Sequence, residues 1–415
     1  MRNVGKSPEE AKFFWAGGPI EVAERTWFAS AFSGVVAFET DEGIVLIDSG
    51  LKRMGAMLAG MIRQKTKAKI HTVVFTQGHV DHAFGLEAFV RDERPRILAH
   101  RAMPARFARY ALTARHNMAL NARQFGGTVK AMDDAAYADD YATFGPPAMP
   151  PNELYDERVD FTVGGVRFEV HHCRGETDDH SWVWCPDREV LCPGDLFIWA
   201  VPNAGNPQKV QRYPWEWAAG LRAMAAKKAR HLCPGHGGPV VDDPDKIQRM
   251  LLESADFLDS IVEQTLDALN DGAPPHVDIV HRVVLPTSDS PWLQNVYDDA
   301  EFIIRNVIRW YAGWYSGRPS ELKPAPRDSL AREVAELAGG AVALAERAKA
   351  LSDEGKPREA CALADYALEA APGDPDVQRL VAQIYRRRAD GEESLMAKNL
   401  FASAAAYADE GRPFR

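Results

Sequence analysis

The fold is decided by residues 73–82, which read VVFTQGHVDH. An apolar run typical of a buried strand leads directly into a turn that carries two histidines and a carboxylate within four residues. The side chains of His79, Asp81 and His82 should therefore converge where the strand ends. Because imidazole and carboxylate groups bind zinc, manganese and iron well, the stretch predicts a metal site. The alternative is a polar turn with capping residues, and later stretches of the chain decide between the two.

The stretch resembles a motif of the metallo-β-lactamase superfamily, Thr-His-x-His-x-Asp-His at the end of a strand. Residues 76–82 of this chain read TQGHVDH, so Gln77 stands where the first histidine of the motif would be. The resemblance implies that His79, Asp81 and His82 bind metal. It leaves Gln77 as either a weak amide ligand or a hydrogen-bond partner.

A second cluster, residues 171–180 with the sequence HHCRGETDDH, follows a predicted strand over residues 166–170. The superfamily commonly carries Gly-His-Thr-x-x-His here, so Glu176 falls on the ligand position and His180 on the trailing histidine. A glutamate in that position is typical of the alkyl-sulfatase branch. The resemblance therefore implies that Glu176 is a ligand and that the two histidines opening the cluster are not.

Two further strand ends complete the pattern. Residues 190–195 (VLCPGD) end on Asp195, which resembles the bridging carboxylate of the superfamily. Residues 232–237 (LCPGHG) match its Pro-Gly-His-Gly motif, which supplies His236 as the last ligand. Four such pieces in the expected order, each after an apolar run, predict a four-layer αββα metallo-β-lactamase fold in the α/β class.

The resemblance implies two neighbouring metal positions that share the carboxylate of Asp195. The other ligands of the first position are His79, Glu176 and the weakly binding Gln77. The other ligands of the second position are Asp81, His82 and His236. Since the first position lacks an imidazole, we expect unequal affinities for one or two zinc ions, with Mn²⁺ or Fe²⁺ as alternatives.

The chemistry implied is hydrolysis of an ester-like bond by a metal-activated water. Asp81 and His180 are the catalytic side chains expected beside the metal. His180 or Asp179, just behind Glu176, would orient a ligand or relay a proton. The intact second metal position argues against the alternative of a non-catalytic scaffold protein.

Residues 198–215 bear on the identity of the substrate. In alkyl sulfatases this segment has an asparagine followed by two arginines that grip the sulfate, and Asn203 and Arg212 match the asparagine and the second arginine. The first arginine position falls near Gln208 or Lys209, so one guanidinium fork is missing. We expect Asn203 and Arg212 to act in catalysis on a small or medium sulfate ester. A carboxylic ester, lactone or thioester is the alternative substrate.

Three predictions concern the surroundings of the site. The indoles of Trp199, Trp215 and Trp217 predict an aromatic substrate pocket, with core packing as the alternative. Asp48, which resembles a structural aspartate of the superfamily, is expected to cap the turn before the helix that follows it. Residues 102–125 are expected to form one long helix.

The C-terminal part of the chain has a helical pattern. Amphipathic periods over residues 341–354, 357–371 and 374–389 resemble a tetratricopeptide-like hairpin. The expected organisation is a catalytic domain over residues 1–270, a connecting segment over 271–328 and an all-α dimerisation domain over 329–415. A lone repeat cannot bury its own apolar face, so we expect a homodimer through these helices. Longer alkyl sulfatases end in a sterol-carrier-like domain, and its lack here favours a smaller substrate.

Composition limits the partners. With 59 acidic and 49 basic residues the formal net charge is -10, which argues against nucleic acid or an anionic membrane. The five cysteines form no dense framework and are expected to be reduced. No apolar run is long enough to cross a bilayer, and the N-terminus lacks an apolar signal region. We therefore expect a cytoplasmic protein that acts on a small molecule.

Overall fold

The computed structural model describes residues 6–128 and 144–414. They form two units, with boundaries after Ala114 and after Gly313. The first unit contains residues 6–114 and 144–313, and the second contains residues 115–128 and 314–414. All seven side chains that the sequence predicts as metal ligands lie in the first unit.

The larger sheet of the first unit has seven strands in sequential order. Neighbours pair antiparallel up to the fourth strand and parallel from there on. The strands are β1 (Gly17–Ala23), β2 (Thr26–Ala31), β3 (Ser33–Thr40), β4 (Gly43–Ile47), β5 (Ile70–Val74), β6 (Arg96–His100) and β7 (Glu153–Tyr155). The parallel part places the ends of β4 and β5 side by side, which brings the residues that follow them together.

The smaller sheet has five strands in the order β12-β11-β10-β9-β8. They are β8 (Arg158–Val163), β9 (Val166–His172), β10 (Ser181–Cys185), β11 (Val190–Ile198) and β12 (His231–His236). Only β11 and β12 pair in parallel among these strands. Because they point the same way, the residues near their carboxyl ends, Asp195 and His236, are neighbours.

The two sheets pack face to face. One buried cluster joins side chains such as Phe38 and Val74 of the larger sheet to Phe168 and Val183 of the smaller one. On the outer side of the smaller sheet, a second cluster unites Leu191 and Leu232 with helical side chains. The helix Lys52–Arg63 buries Leu58 and Ile62 against the larger sheet. The predicted four-layer αββα fold is confirmed.

The first unit also contains helices, of which Lys52–Arg63 packs on the larger sheet and Pro214–Ala225 and Pro244–Asn270 pack on the smaller one. The α-helices are Pro8–Ala11, Lys52–Arg63, Val80–Ala83, Met103–Leu112, Pro214–Ala225, Pro244–Asn270, His276–Arg282 and Ala300–Tyr311. The short 3₁₀ turns are Lys12–Phe14, Leu86–Ala88 and Pro291–Leu293. Asp243 and Asp299 cap the helices that begin at Pro244 and Ala300 by accepting backbone N–H bonds.

The single helix predicted over residues 102–125 is wrong. The structure has two helices, Met103–Leu112 and Ala114–Gln124, which meet at Thr113. The Thr113 hydroxyl donates to the carbonyl of Arg109 at 2.8 Å, a local bond that competes with the regular helix ladder. The second helix belongs to the second unit, where the Asn399 amide donates to the carbonyl of Gln124 at 2.9 Å.

The second unit is all helical, as predicted. Besides Ala114–Gln124, its helices are Pro319–Leu322, Arg327–Leu337, Ala341–Asp353, Pro357–Ala370, Pro375–Asp390 and Leu395–Asp409. Its core contains many alanines, among them Ala345, Ala360 and Ala364, whose small side chains let neighbouring helices approach closely. Among the described residues, no helix is both long and apolar enough to span a membrane.

Candidate metal centre

The site begins where β4 and β5 end. Asp48 adopts a left-handed backbone with a φ of 58°, which aspartate tolerates better than most residues. Its carboxylate accepts bonds from the Thr76 backbone N–H at 2.7 Å and the Thr76 hydroxyl at 2.6 Å. The same carboxylate lies 2.8 Å from His82 Nδ1. The predicted capping role of Asp48 is therefore wrong, because its buried carboxylate is occupied in orienting a histidine.

The first ligand group comprises Asp81, His82 and His236, whose ligand atoms lie within 4.8 Å of one another. His236 Nε2 is 3.4 Å from an Asp81 oxygen and 3.4 Å from Asp195 Oδ1. His82 Nε2 is 3.1 Å from Asp195 Oδ2. His236 Nδ1 lies 2.7 Å from the carbonyl of Phe32. Both imidazoles are thus fixed through Nδ1 and turn Nε2 toward the carboxylates, as metal-binding histidines do.

Carboxylates control the protonation of these imidazoles. Burial alone would lower the pKa of His236, but Asp195 and Asp81 raise it to about 10. The pKa of His82 is likewise raised well above its usual value, against the effect of burial, by Asp195, Asp48 and Asp81. A cluster that attracts protons this strongly also attracts a divalent cation, which would compete with those protons.

The second ligand group comprises His79, Glu176 and Asp195, again within 4.8 Å. His79 Nδ1 lies 3.7 Å from Glu176 Oε1. Burial and the charges of Arg106 and Arg212 hold the pKa of His79 well below its usual value, so its imidazole is neutral. The first ligand group contains the side chains of the second metal position implied by the sequence, and the second ligand group contains His79 and Glu176 of the first position, with Asp195 between them.

Two glycines allow Asp195 and His236 to lie close together. Gly194 adopts a φ of 54°, a left-handed conformation that turns the chain just before Asp195. At Gly235, a Cβ atom would collide with Asp195 Oδ1. These contacts explain why a glycine stands before both Asp195 and His236.

Two polar side chains donate hydrogen bonds to the carboxylate of Glu176. Its Oε1 accepts a bond from the Arg212 guanidinium at 3.0 Å and another from the Asn203 amide. Arg212 Nε also donates to the Asn203 carbonyl at 2.6 Å, which ties the two residues together. Burial and the neighbouring Asp195 raise the pKa of Glu176 well above its usual value. Asn203 and Arg212, the residues expected to contact an oxyanion, therefore converge beside the second ligand group.

His180 lies behind Asp195. The Asp195 backbone N–H donates to His180 Nε2 at 3.1 Å, so this nitrogen carries no proton. Burial lowers the pKa of His180 to about 3 despite the nearby Asp195. The arrangement suits the predicted orienting role, in which His180 positions Asp195, better than the relay of a proton.

Asp179, the other residue expected to orient a ligand, holds the turn that carries His79, whereas its partner Arg106 was not expected from the sequence. Asp179 accepts bonds from the Gly78 backbone N–H at 2.8 Å and from Arg106 Nε at 2.7 Å. Arg106 also pairs with Asp178. The pair Arg106–Asp179 thus fixes the turn between Gln77 and His79. Arg106 lies in a helix with no motif, so only its burial marks it.

An aromatic stack borders the first ligand group. Phe13 stacks on His236, with ring centroids 4.5 Å apart, and on Tyr297, also at 4.5 Å. Burial and the charges of Glu176 and Asp81 raise the pKa of Tyr297, so its hydroxyl stays protonated. Both aromatic residues are far from the motifs in sequence, and no sequence signal identifies them.

The predicted tryptophan pocket is not present. Trp199 and Trp217 are fully buried in the core, where their indole N–H groups donate to the carbonyls of Gly238 at 2.8 Å and Leu196 at 2.7 Å. Trp215 is 46% exposed on the helix Pro214–Ala225. The alternative of core packing is correct for the first two.

The loop that carries Asn203 and Arg212 is held from outside the site. Asp298 accepts bonds from the backbone N–H groups of Gly205 at 2.7 Å and Asn206 at 3.1 Å. The Asn306 amide donates to the carbonyl of Ala204 at 2.8 Å and that of Arg212 at 3.0 Å. This loop is therefore anchored at both ends before any ligand binds.

Two family models match the chain. The metallo-beta-lactamase superfamily model matches residues 28–236, and the alkyl sulfatase dimerisation model matches residues 276–411. The first match contains strands β3 to β12 and all the candidate ligand residues described above. The chain belongs to the metallo-β-lactamase superfamily and to its alkyl-sulfatase-like branch. Its fold is that of the metal-dependent hydrolases of that superfamily.

Several known proteins resemble the chain over most of its length. A linear primary-alkylsulfatase of Pseudomonas sp. (strain ATCC 19151) is 25% identical over 386 residues, covering 88% of this chain and 72% of the relative. An (R)-specific secondary-alkylsulfatase of Pseudomonas sp. is 25% identical over 406 residues, covering 92% of this chain and 60% of the relative. The solved structure of the stereoselective inverting sec-alkylsulfatase Pisa1 from Pseudomonas sp. matches with a TM-score of 0.84. That match is 22% identical and covers 97% of this chain and 67% of Pisa1, and it shows a shared fold.

Proposed function

We propose that the chain is a zinc-dependent hydrolase of a small or medium sulfate ester. The observation that carries the proposal is the convergence of Arg212 and Asn203 on Glu176 Oε1, beside both ligand groups. A guanidinium and an amide in that place suit the oxygens of a tetrahedral anion. The relatives named as alkylsulfatases support the same substrate class.

The residues fit a divalent cation. Asp195 Oδ1 is buried and accepts no hydrogen bond among the described residues, although it lies 3.4 Å from His236 Nε2. A buried carboxylate oxygen without a partner is costly, and a cation would satisfy it. When bound, zinc supplies an activated water and offsets negative charge on the substrate. His79, Asp81, His82, Glu176, Asp195 and His236 would hold it.

The side chains around the cation then have distinct tasks. Arg212 and Asn203 hold the sulfate oxygens, and Lys209 adds a positive charge near Glu176 and Asp81. Asp81, whose side chain is 14% exposed, would hold the cation through Oδ2, which faces His82 and His236, and accept a proton from the attacking water at Oδ1 for transfer to solvent. Water is added across the ester bond, and an alcohol and sulfate leave.

The substrate class is tested with a panel of alkyl sulfates and carboxylic esters that share the same alkyl chains. The proposal expects kcat/KM for the sulfates to exceed that for the carboxylic esters by at least tenfold, since only the sulfates use the Arg212–Asn203 contacts. Equal or better hydrolysis of the carboxylic esters would replace the proposed substrate with the alternative one.

Substrate binding should depend on the charge of Lys209. Burial and Arg212 lower the pKa of this lysine to about 8, so the ammonium is present below that pH and is lost above it. KM for a sulfate ester should therefore rise several-fold between pH 7 and pH 9, while kcat changes less. Lys209→Arg keeps its charge over this range and should flatten the KM profile. An unchanged alkaline rise in the variant would show that another group titrates.

We also propose that the second unit forms a homodimer, as the match to the alkyl sulfatase dimerisation model suggests. Two large apolar side chains of the second unit are strongly exposed, Leu337 at 90% and Trp314 at 78%. Leu337→Arg should convert dimers to monomers at micromolar concentration, measured by analytical ultracentrifugation. Leu112→Arg, at an equally exposed leucine of the first unit, is the matched control and should remain dimeric. A wild-type monomer, or a Leu337→Arg dimer of unchanged affinity, would contradict the proposal.

A further inference from the structure

We propose that the chain retains one tightly bound divalent cation, at Asp81, His82, His236 and Asp195, and that Gln77 keeps the other ligand group weak. The inference rests on the proposed metal-dependent function and concerns how many ions each chain holds. Gln77 weakens that group by holding the shared carboxylate of Asp195 with a hydrogen bond.

The contacts of Gln77 are those of a donor. Its side chain is fully buried, and its amide Nε2 lies 2.6 Å from Asp195 Oδ2 and 3.5 Å from Glu176 Oε2. The amide oxygen Oε1 is also buried and accepts no hydrogen bond among the described residues. Turning the amide over would point Oε1 at two carboxylates and lose both donor contacts. In this orientation the amide oxygen is left without a hydrogen bond, while the amide N–H groups donate to the two carboxylates.

The carboxylates of the second ligand group are already engaged by other donors. Glu176 Oε1 accepts from Arg212 and Asn203, and Asp195 Oδ2 accepts from Gln77. A cation entering this group must displace amide contacts and lie near the buried guanidinium of Arg212. Within the described part of the chain, only His79 offers a ligand nitrogen there, because glutamine stands where a second imidazole would be.

The first ligand group can use the other oxygen of Asp195, because Oδ1 accepts no hydrogen bond among the described residues and lies 3.4 Å from His236 Nε2. Its imidazoles, His82 and His236, are fixed by Asp48 and by the Phe32 carbonyl, so their Nε2 atoms are already turned toward the carboxylates. Outer contacts of this kind typically change metal affinity by about 10- to 100-fold. Two imidazoles and two carboxylates also make a complete tetrahedral set for zinc. The two groups therefore differ both in number of good ligands and in preorganisation.

Metal content is the direct test. Protein purified without chelator, saturated with zinc and then dialysed against metal-free buffer should retain one zinc per chain by mass spectrometric elemental analysis. Gln77→His supplies the missing imidazole and should retain two, with the dissociation constant of the second zinc lowered at least tenfold in a competitive chelator titration. Gln77→Glu, which keeps the shape and replaces the donor with a ligand, should also tighten the second zinc.

The control is Gln383→His, which adds an imidazole at an exposed position of the helix Pro375–Asp390 and should stay at one zinc. A wild-type chain that retains two zinc ions overturns the proposal even if every variant misfolds. So does a folded Gln77→His chain that retains one. Because the readout is bound metal, failure to hydrolyse sulfate esters would leave this test unaffected.

Discussion

Replacing His82 with alanine should lower kcat/KM by roughly 10³-fold or more and remove the tightly bound cation. His82 Nε2 is 3.1 Å from the shared carboxylate of Asp195, and its Nδ1 is held by Asp48. Alanine removes a ligand and leaves the Asp48 carboxylate buried with one partner fewer. Zinc content and hydrolysis should therefore fall together, measured on the same preparation.

His71→Ala is the matched control. His71 is an exposed histidine of β5, the strand that leads into the ligand turn, so this variant tests the loss of an imidazole from the same element without loss of a ligand. It should keep its zinc and its activity. A His82→Ala protein that keeps both would mean that the ligand map of the first group is wrong.

Replacing Arg212 with methionine should have the second largest effect, on both stability and activity. Arg212 is almost fully buried, and its guanidinium is shared between Glu176 Oε1 and the carbonyl of Asn203. Removing one partner of a buried ion pair typically costs about 3–5 kcal/mol, which urea unfolding can measure. On the folded fraction, kcat/KM for a sulfate ester should fall roughly 100-fold or more, since the substrate anion loses its guanidinium contact.

Arg230→Met is the matched control, because it removes an arginine that lies at the surface and outside the candidate site. Arg230 pairs with Asp242 at the surface, where both side chains are more than half exposed, and such a pair contributes about 1 kcal/mol or less. The variant should therefore unfold and react almost like the wild type. An Arg212→Met enzyme with unchanged KM and kcat for sulfate esters would remove Arg212 from the binding site.

Much of the centre could be predicted from sequence because most of the candidate ligands lie at or near the end of an apolar strand. The strand periods place His79, Asp81 and His82 at one end of the larger sheet and Asp195 and His236 at one end of the smaller sheet. The structure brings these side chains together as the order of the motifs implied. Glu176 could be predicted only through the resemblance to alkyl sulfatases, since glutamate at a turn carries no metal signal of its own.

The remaining features depend on long-range packing, which short motifs do not encode. Asp48 looks like a capping residue until β4 and β5 lie side by side and bring Thr76 and His82 against it. Trp199 and Trp217 lie close to the motifs in sequence, yet the layering of helices on the smaller sheet buries both. Sequence alone also left Gln77 as a ligand or a hydrogen-bond partner, because the choice depends on which atom faces Asp195.

Release of inorganic sulfate from a short alkyl sulfate, followed before chelation, after chelation and after reloading with zinc, tests the central claim most directly. The account predicts sulfate release by the purified chain, its loss on chelation and its recovery with zinc, with no recovery in His82→Ala. Sulfate release that survives complete removal of metal, or no sulfate release from any alkyl sulfate by the zinc-loaded chain, would contradict it.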